Sequence, residues 1–266
     1  MLPTITLFGK TIGTYVIMAL IGGLLAGVYA CRAAAKRGQD DNDIIVVLLF
    51  AALGCLLGGH LLYALTNLPA VYQIFFAESF TDFLRRAVTG FGGSVFYGGL
   101  FGGIAAAALT MHIKRMNIAL CADILTPAIP LFHAFARVGC FLGGCCYGIE
   151  SPFGFVAHDN RLVPEVNDIS RFPVQLLEAA LNAILFLILL RLYNQSRQKP
   201  ALQGKLLLIY LPCYAVMRFF IEFLRGDEIR GFIFGLSTSQ FISVLLFIAV
   251  VIIWLGWFLR QKNHSI

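Results

Sequence analysis

Long apolar runs separated by short polar clusters organise the chain. They predict seven helical spans, near 12–33, 44–66, 94–112, 121–139, 173–192, 205–224 and 236–259. Each is close to the ~20 residues a helix needs to cross a hydrocarbon core. The segment 68–93 breaks the pattern: Glu78, Asp82, Arg85 and Arg86 make it too charged to span, so it is expected to lie at the interface as an amphipathic arm. No internal repeat is visible, and with it the inverted-repeat signature of many transporters is missing. The expected fold is an all-α polytopic integral membrane protein of seven transmembrane helices. It forms a single transmembrane domain over 1–266, with the interfacial arm at 68–93 and an outward-facing loop region at 143–172.

Composition removes the alternatives. Of 266 residues, 59% are hydrophobic and only 13% charged, against roughly 25% charged in soluble domains. The same figures exclude disorder, a coiled coil and a disulfide-stapled secreted scaffold. The first fifteen residues lack the charged start, apolar run and small-residue site of a cleaved signal peptide.

A net charge of +6 would suggest nucleic acid in a soluble basic domain, but no such domain is present and no nucleic-acid partner is expected. The basic residues report orientation instead. Eleven of the twenty, among them Arg32, Lys114, Arg197 and Lys205, fall in linkers on one side. Seven, among them Lys10, Arg85, Arg171 and Arg230, fall on the other, and Arg137 and Arg218 sit at or inside span ends. The positive-inside rule then places the N-terminus outside and the C-terminus in the cytoplasm. Chemistry built on 143–172 or on the 225–235 turn would face outward.

Ionisable residues inside spans cost ~2.5–3.5 kcal/mol each on insertion scales and point to function by default. They are His60, Asp123, His133, Arg137, Glu178, Arg218 and Glu222. Tyr214, Arg218, Glu222 and Arg225 follow one another at spacings that put them on one helix face. Two readings stand: an Arg218–Glu222 pair that neutralises itself, or a polar cavity in which a guanidinium fork meets a phosphate.

In 122–148, Pro127 and Pro130 interrupt the helix, while Pro130, His133 and Arg137 share a side. Gly139, Gly143, Gly144 and Gly148 then suit either an anion cradle or a tightly packed exit turn. Cys140, Cys145 and Cys146 have no second ligand pair for zinc, and vicinal cysteines bond each other poorly. Small buried filler is the favoured reading, and no metal is expected. Gly98, Gly99, Gly102 and Gly103 offer a small-residue face for helix contact, and Tyr97 sits at the outer end of that span.

Read in order, these stretches resemble the bacterial prolipoprotein diacylglyceryl transferase family over nearly the whole chain. Tyr15 resembles its first-span tyrosine. GGHLLYAL (58–65) resembles its G-G-R-L-x-Y-x-L, and FYGGLFGG (96–103) its F-H-G-G-L-x-G-G. ADILTPAIPL (122–131) matches A-D-x-x-x-P-x-x-P, and ARVGCFLGGCCYG (136–148) resembles the signature G-R-x-G-N-F-x-N-x-E-x-x-G. RFPVQLLE (171–178), MRFFIEFLRGDE (217–228) and TSQFIS (238–243) resemble its later segments. The departures are specific. Tyr97 stands for the usual histidine, Cys140 for the asparagine, Gly143 and Cys145 for a later asparagine and glutamate, and Phe172 for a second histidine. Arg137, Arg218, Glu222, Tyr15 and Gly148 are kept.

The resemblance implies transfer of the diacylglyceryl group of phosphatidylglycerol to the lipobox cysteine in a preprolipoprotein signal peptide. A thioether forms and glycerol phosphate leaves, with no cofactor or metal. Arg137, Arg218, Tyr97 and Glu222 are the expected catalytic residues. Tyr15, Gly98, Gly99, His133, Gly139, Cys140, Gly148 and Arg225 are the expected substrate-binding ones. The thiol's proton would go to Tyr97, to His133 or to the leaving phosphate itself. The implied location is the bacterial cytoplasmic (inner) membrane, as a monomer among membrane lipids. The replacements keep two alternatives open: a phospholipid transferase with another acceptor, and a non-catalytic lipid-binding protein.

Overall fold

The computed structural model describes residues 2–7, 9–227 and 232–263, with the side chains of Leu7, Phe96, Tyr97, Pro200, Phe232 and 257–263 outside the description. Among the described residues ten α-helices run in chain order: α1 (Thr14–Ala35), α2 (Asp41–Thr66), α3 (Leu68–Gln73), α4 (Phe80–Phe91), α5 (Phe96–Ile113), α6 (Ile118–Leu125), α7 (Ala128–Gly143), α8 (Val174–Ser196), α9 (Leu206–Ile221) and α10 (Thr238–Asn263). Six helical stretches among the described residues are long and apolar enough to cross a membrane: Thr14–Ala35, Asp41–Thr66, Ile118–Gly143, Val174–Ser196, Leu206–Leu224 and Thr238–Gly256. The expected run at 94–112 is also an apolar helix, but Gly98–Ile113 falls short of that length. The protein is a helical, multi-pass membrane protein.

The all-α expectation needs one addition. Among the described residues three antiparallel two-stranded ribbons lie outside the helices: β1 (Thr4–Leu7) with β2 (Lys10–Gly13), β3 (Glu150–Val156) with β4 (Ser170–Arg171), and β5 (Phe232–Ile233) with β6 (Leu236–Ser237). Their strands are two to seven residues long, too short for an alternating pattern to stand out beside twenty-residue spans. The first turns through Gly9 at φ 75° and the last through Gly235 at φ 78°, a backbone that glycine adopts at no steric cost.

The chain divides into two compact units, residues 1–29 with 122–266, and residues 30–121. In the smaller unit α2 begins at Asp40, whose carboxylate accepts from Asn42 N–H at 2.9 Å. It packs on α5 through glycines. A Cβ added at Gly98 would lie 2.3 Å from the Gly58 carbonyl oxygen, and one at Gly102 2.2 Å from that of Gly54. Only hydrogen at these positions lets the backbones approach so closely. His60 Nδ1 lies 2.8 Å from the Phe91 and Gly93 carbonyl oxygens and so ties down the turn between α4 and α5.

The segment 68–93 folds as α3, a short 3₁₀ turn at Ile74–Phe76, and α4. Ser79 caps α4 by accepting from Asp82 N–H, and Arg86 pairs with Asp82 at 2.8 Å. Phe75 and Phe80 are exposed.

In the larger unit α7 packs on α8 and α9 on α10. Leu185, Leu189 and Tyr210 form a buried cluster, with Leu207, Leu211 and Tyr214 against it. Asp123 is buried and structural: its carboxylate accepts from Gly204 N–H at 2.6 Å and Leu206 N–H at 3.0 Å, so it holds the start of α9.

Candidate active site

Polar groups gather in the larger unit where the ends of α7, α8 and α9 carry charged side chains. Arg137, on α7, places Nε 3.0 Å from a carboxylate oxygen of Glu178 on α8. Glu178 is buried at 3% exposure, whereas the Arg137 side chain keeps 21%. Arg218, near the end of α9, pairs with Glu222 at 2.8 Å and donates from Nη2 to Ser239 Oγ on α10 at 3.0 Å. Its Nη1 is buried and has no hydrogen-bond partner among the described residues. A donor left in that state costs ~1–3 kcal/mol or more, which an anionic oxygen would offset.

The shared face expected for Tyr214, Arg218, Glu222 and Arg225 needs correction. The α-helix ends at Ile221 and tightens to a 3₁₀ turn over Glu222–Leu224. Arg225 then takes extended backbone, φ −86° and ψ 140°. Arg225 leaves the stripe, bridges antiparallel to Gly148, and pairs with Asp227, Nε to carboxylate oxygen at 2.9 Å. Sequence spacing assumed a helix that continued for one more turn. Even so, Arg225 stays in the same electrostatic neighbourhood, because Arg218, Arg137, Arg225 and Glu178 all act on the Tyr214 hydroxyl. Tyr214 also packs against the ring of His133, centroids 5.7 Å apart.

The turn after α7 is fixed from several directions. Gly144 ends the helix at φ 82°. Buried Asn160 donates from Nδ2 to the Gly143 carbonyl at 3.1 Å, and buried Gln175 donates from Nε2 to the Cys145 carbonyl at 2.9 Å. Gly148 passes between two other segments, and a Cβ there would lie 2.2 Å from the Phe172 carbonyl oxygen and 3.0 Å from that of Leu224. The Ile149 N–H donates to the Leu224 carbonyl at 3.0 Å and the Gly226 N–H to the Tyr147 carbonyl at 3.0 Å. Gly139 lets α7 lie against α1, since its Cβ would sit 3.1 Å from the Cα of Tyr15.

The cysteines do not behave as uniform buried filler. Cys140 is buried but Cys145 and Cys146 are only partly so, and all three are free thiols whose sulfurs lie within 4.8 Å of one another. Arg137 Nη1 is 4.0 Å from Cys140 Sγ. The Cys145 thiol donates to the Cys140 carbonyl oxygen at 3.8 Å.

Arg137, Arg218, Glu222, Arg225, His133, Tyr15, Gly139, Cys140 and Gly148 thus belong to the larger unit, and Tyr97, Gly98 and Gly99 to the smaller one. Tyr97 lies in the first turn of α5 and its side chain is outside the description. Gly98 is committed to the contact with α2, and a Cβ at Gly99 would lie 3.1 Å from the Cys55 carbonyl oxygen. Both glycines serve the close packing of α5 on α2. Ser239, Gln175 and Asn160 were not singled out from sequence. The first two lie inside the family-like segments 238–243 and 171–178, which was the available signal. Nothing in the sequence marks Asn160.

The fold and these arginine–carboxylate pairs define a class: a multi-pass helical membrane protein with a cluster of paired guanidiniums at the ends of its helices. The family profile described as prolipoprotein diacylglyceryl transferase matches residues 3–256. The phosphatidylglycerol–prolipoprotein diacylglyceryl transferase 2 of Clostridium perfringens is 32% identical over 250 residues, 93% of this chain and 92% of the relative. The corresponding transferase of Geobacter sulfurreducens is 32% identical over 88% of this chain and 86% of the relative. One from Campylobacter jejuni is 28% identical over 97% and 94%. The chain belongs to the prolipoprotein diacylglyceryl transferase family.

Proposed function

We propose that this chain transfers the diacylglyceryl group of phosphatidylglycerol to prolipoprotein, at the lipobox cysteine, forming a thioether and releasing glycerol phosphate. The names of its relatives supply the reaction. The observation that carries the reading to this chain's own atoms is the buried Arg218 with Nη1 unpartnered among the described residues. Breaking the carbon–oxygen bond leaves a second negative charge on the departing phosphate. Donors fixed in a water-poor site stabilise such charge far better than water does.

Arg218 and Arg137 take the phosphate oxygens in this reading. Glu222 and Glu178 hold the two guanidiniums in place, and Tyr97 positions substrate. Tyr15 and Gly139 set the approach of α1 to α7 beside the cysteine turn. His133, against Tyr214, and Arg225, paired with Asp227, line the site beside them. An apolar groove of about 590 Å³, lined by Leu181, Pro212, Val216, Phe220 and Phe247 among others, runs along the helix that carries Arg218 and suits an acyl chain.

The same reading places the chain in the bacterial inner membrane as a monomer. It has seven spans including α5, the N-terminus outside and the C-terminus in the cytoplasm, as the Lys and Arg bias supports. The segment 68–93 lies at the interface, its exposed Phe75 and Phe80 toward lipid, and 143–172 faces outward. The whole chain is one transmembrane domain. Expression in a bacterium depleted of its own transferase tests the function. Restored growth and lipid-modified lipoprotein are expected. Failure of a well-expressed chain, with phosphatidylglycerol still turned over, would reassign the acceptor.

A further inference from the structure

The three cysteines at the end of α7 are brought together at a conformational cost. After Gly144 at φ 82°, Cys146 itself takes φ 55°, a left-handed backbone that disfavours any residue with a Cβ by ~1–2 kcal/mol. Filling space does not require it. The two left-handed steps reverse the chain so that Cys145 and Cys146 return to Cys140, and all three sulfurs fall within 4.8 Å of one another. Gln175 and Asn160 lock the reversal from α8 and from the following loop. Zinc bonded to sulfur at ~2.3 Å in a tetrahedron holds its sulfurs roughly 3.8 Å apart, so the cluster needs to contract by only about 1 Å. The buried Cys140 closes one side, and the half-buried Cys145 and Cys146 leave the other open.

We propose that Cys140, Cys145 and Cys146 form a three-thiolate zinc site whose open fourth position binds the acceptor cysteine as its thiolate. The catalytic part of this inference rests on the diacylglyceryl-transfer reading, and it departs from the metal-free expectation. Three protein ligands with an open position is the arrangement of catalytic rather than structural zinc. A thiol that coordinates zinc gives up its proton outright. Zinc would take over a deprotonation for which Tyr97, standing where the family has histidine, is poorly suited, since a phenol with reference pKa ~10 is a poor base at neutral pH.

The step balances. On binding, the acceptor thiol releases its proton to water. Its sulfur then attacks the glycerol carbon that bears the phosphate ester, so the carbon–sulfur bond forms as the carbon–oxygen bond breaks. The bonding pair leaves on the oxygen of glycerol phosphate, beside the arginines. The thioether product is a weaker ligand and departs, and no oxidation state changes. Arg137 Nη1, 4.0 Å from Cys140 Sγ, offsets part of the negative charge of the thiolates.

The test uses the full chain purified without chelators. Metal analysis should find about one zinc per chain. The cobalt-substituted chain should show sulfur-to-cobalt absorption that changes when a lipobox peptide with cysteine is added, and not with its serine counterpart. Cys146→Ser should lose that absorption while keeping its helical circular dichroism. Absence of both zinc and cobalt–sulfur absorption in the unmodified chain overturns the site. A cobalt spectrum that ignores the cysteine peptide overturns the acceptor role. Transfer that persists undiminished after zinc removal refutes the catalytic part and leaves the transferase reading standing. Zinc bound and responsive to the peptide, with no glycerol phosphate released from phosphatidylglycerol, does the reverse.

Discussion

At the scale of single residues, the account turns on how each guanidinium is held. Arg218 has a carboxylate, a hydroxyl and one Nη1 without a partner among the described residues. Arg218→Ala should therefore lower the transfer rate by about 10²–10³, as loss of one transition-state donor does. Arg218→Lys should not restore it, because a point charge cannot reproduce a planar fork. Single-turnover kinetics with labelled phosphatidylglycerol read both. Glu178 belongs to a different kind of argument. Its removal leaves Arg137 charged and mostly buried, so Glu178→Ala should cost about 3–5 kcal/mol of stability. Breaking the exposed Lys114–Asp43 pair should cost less than about 1 kcal/mol. Denaturation of the two variants in one detergent compares them.

Elements carry the next constraint, because the site depends on three segments crossing at Gly148. The Cβ of Gly148→Ala would meet the Phe172 and Leu224 carbonyl oxygens. That substitution should lower the melting temperature and the transfer rate together, while Gly143→Ala, with nothing within 4 Å, should leave the melting temperature within a degree or two.

Legibility in the sequence divides along the same line. The spans were readable because lipid imposes a run of apolar residues on any helix that crosses it. Arg137, Arg218 and Glu178 were readable because a charge inside such a run is conspicuous. The ribbons at 4–13, 150–171 and 232–237 were not, since a few residues of pairing leave no period. The position of Arg225 is not legible because nothing local announces that α9 tightens after Ile221. The gathering of Cys140 with Cys145 and Cys146 depends on two left-handed residues, one of them not glycine. Asn160 acts on Gly143 from seventeen positions further along the chain, beyond β3, a separation that no motif spans.

Across the whole molecule, apolar helices and family membership show a multi-pass membrane transferase, and the asymmetric distribution of Lys and Arg supports the proposed orientation, with 143–172 outward. The orientation makes a separate prediction. An impermeant thiol reagent applied to intact spheroplasts should label Arg161→Cys above the parent chain and spare Gln198→Cys until the membrane is opened. The reverse pattern would invert the topology.

The most direct test of the central claim is made with the purified chain in vesicles containing phosphatidylglycerol labelled in its terminal glycerol, together with a lipobox peptide. We predict release of labelled glycerol phosphate in step with a diacylglyceryl thioether on the peptide cysteine, both lost in Arg218→Ala. Vesicles in which the unmodified chain produces neither product would contradict the account.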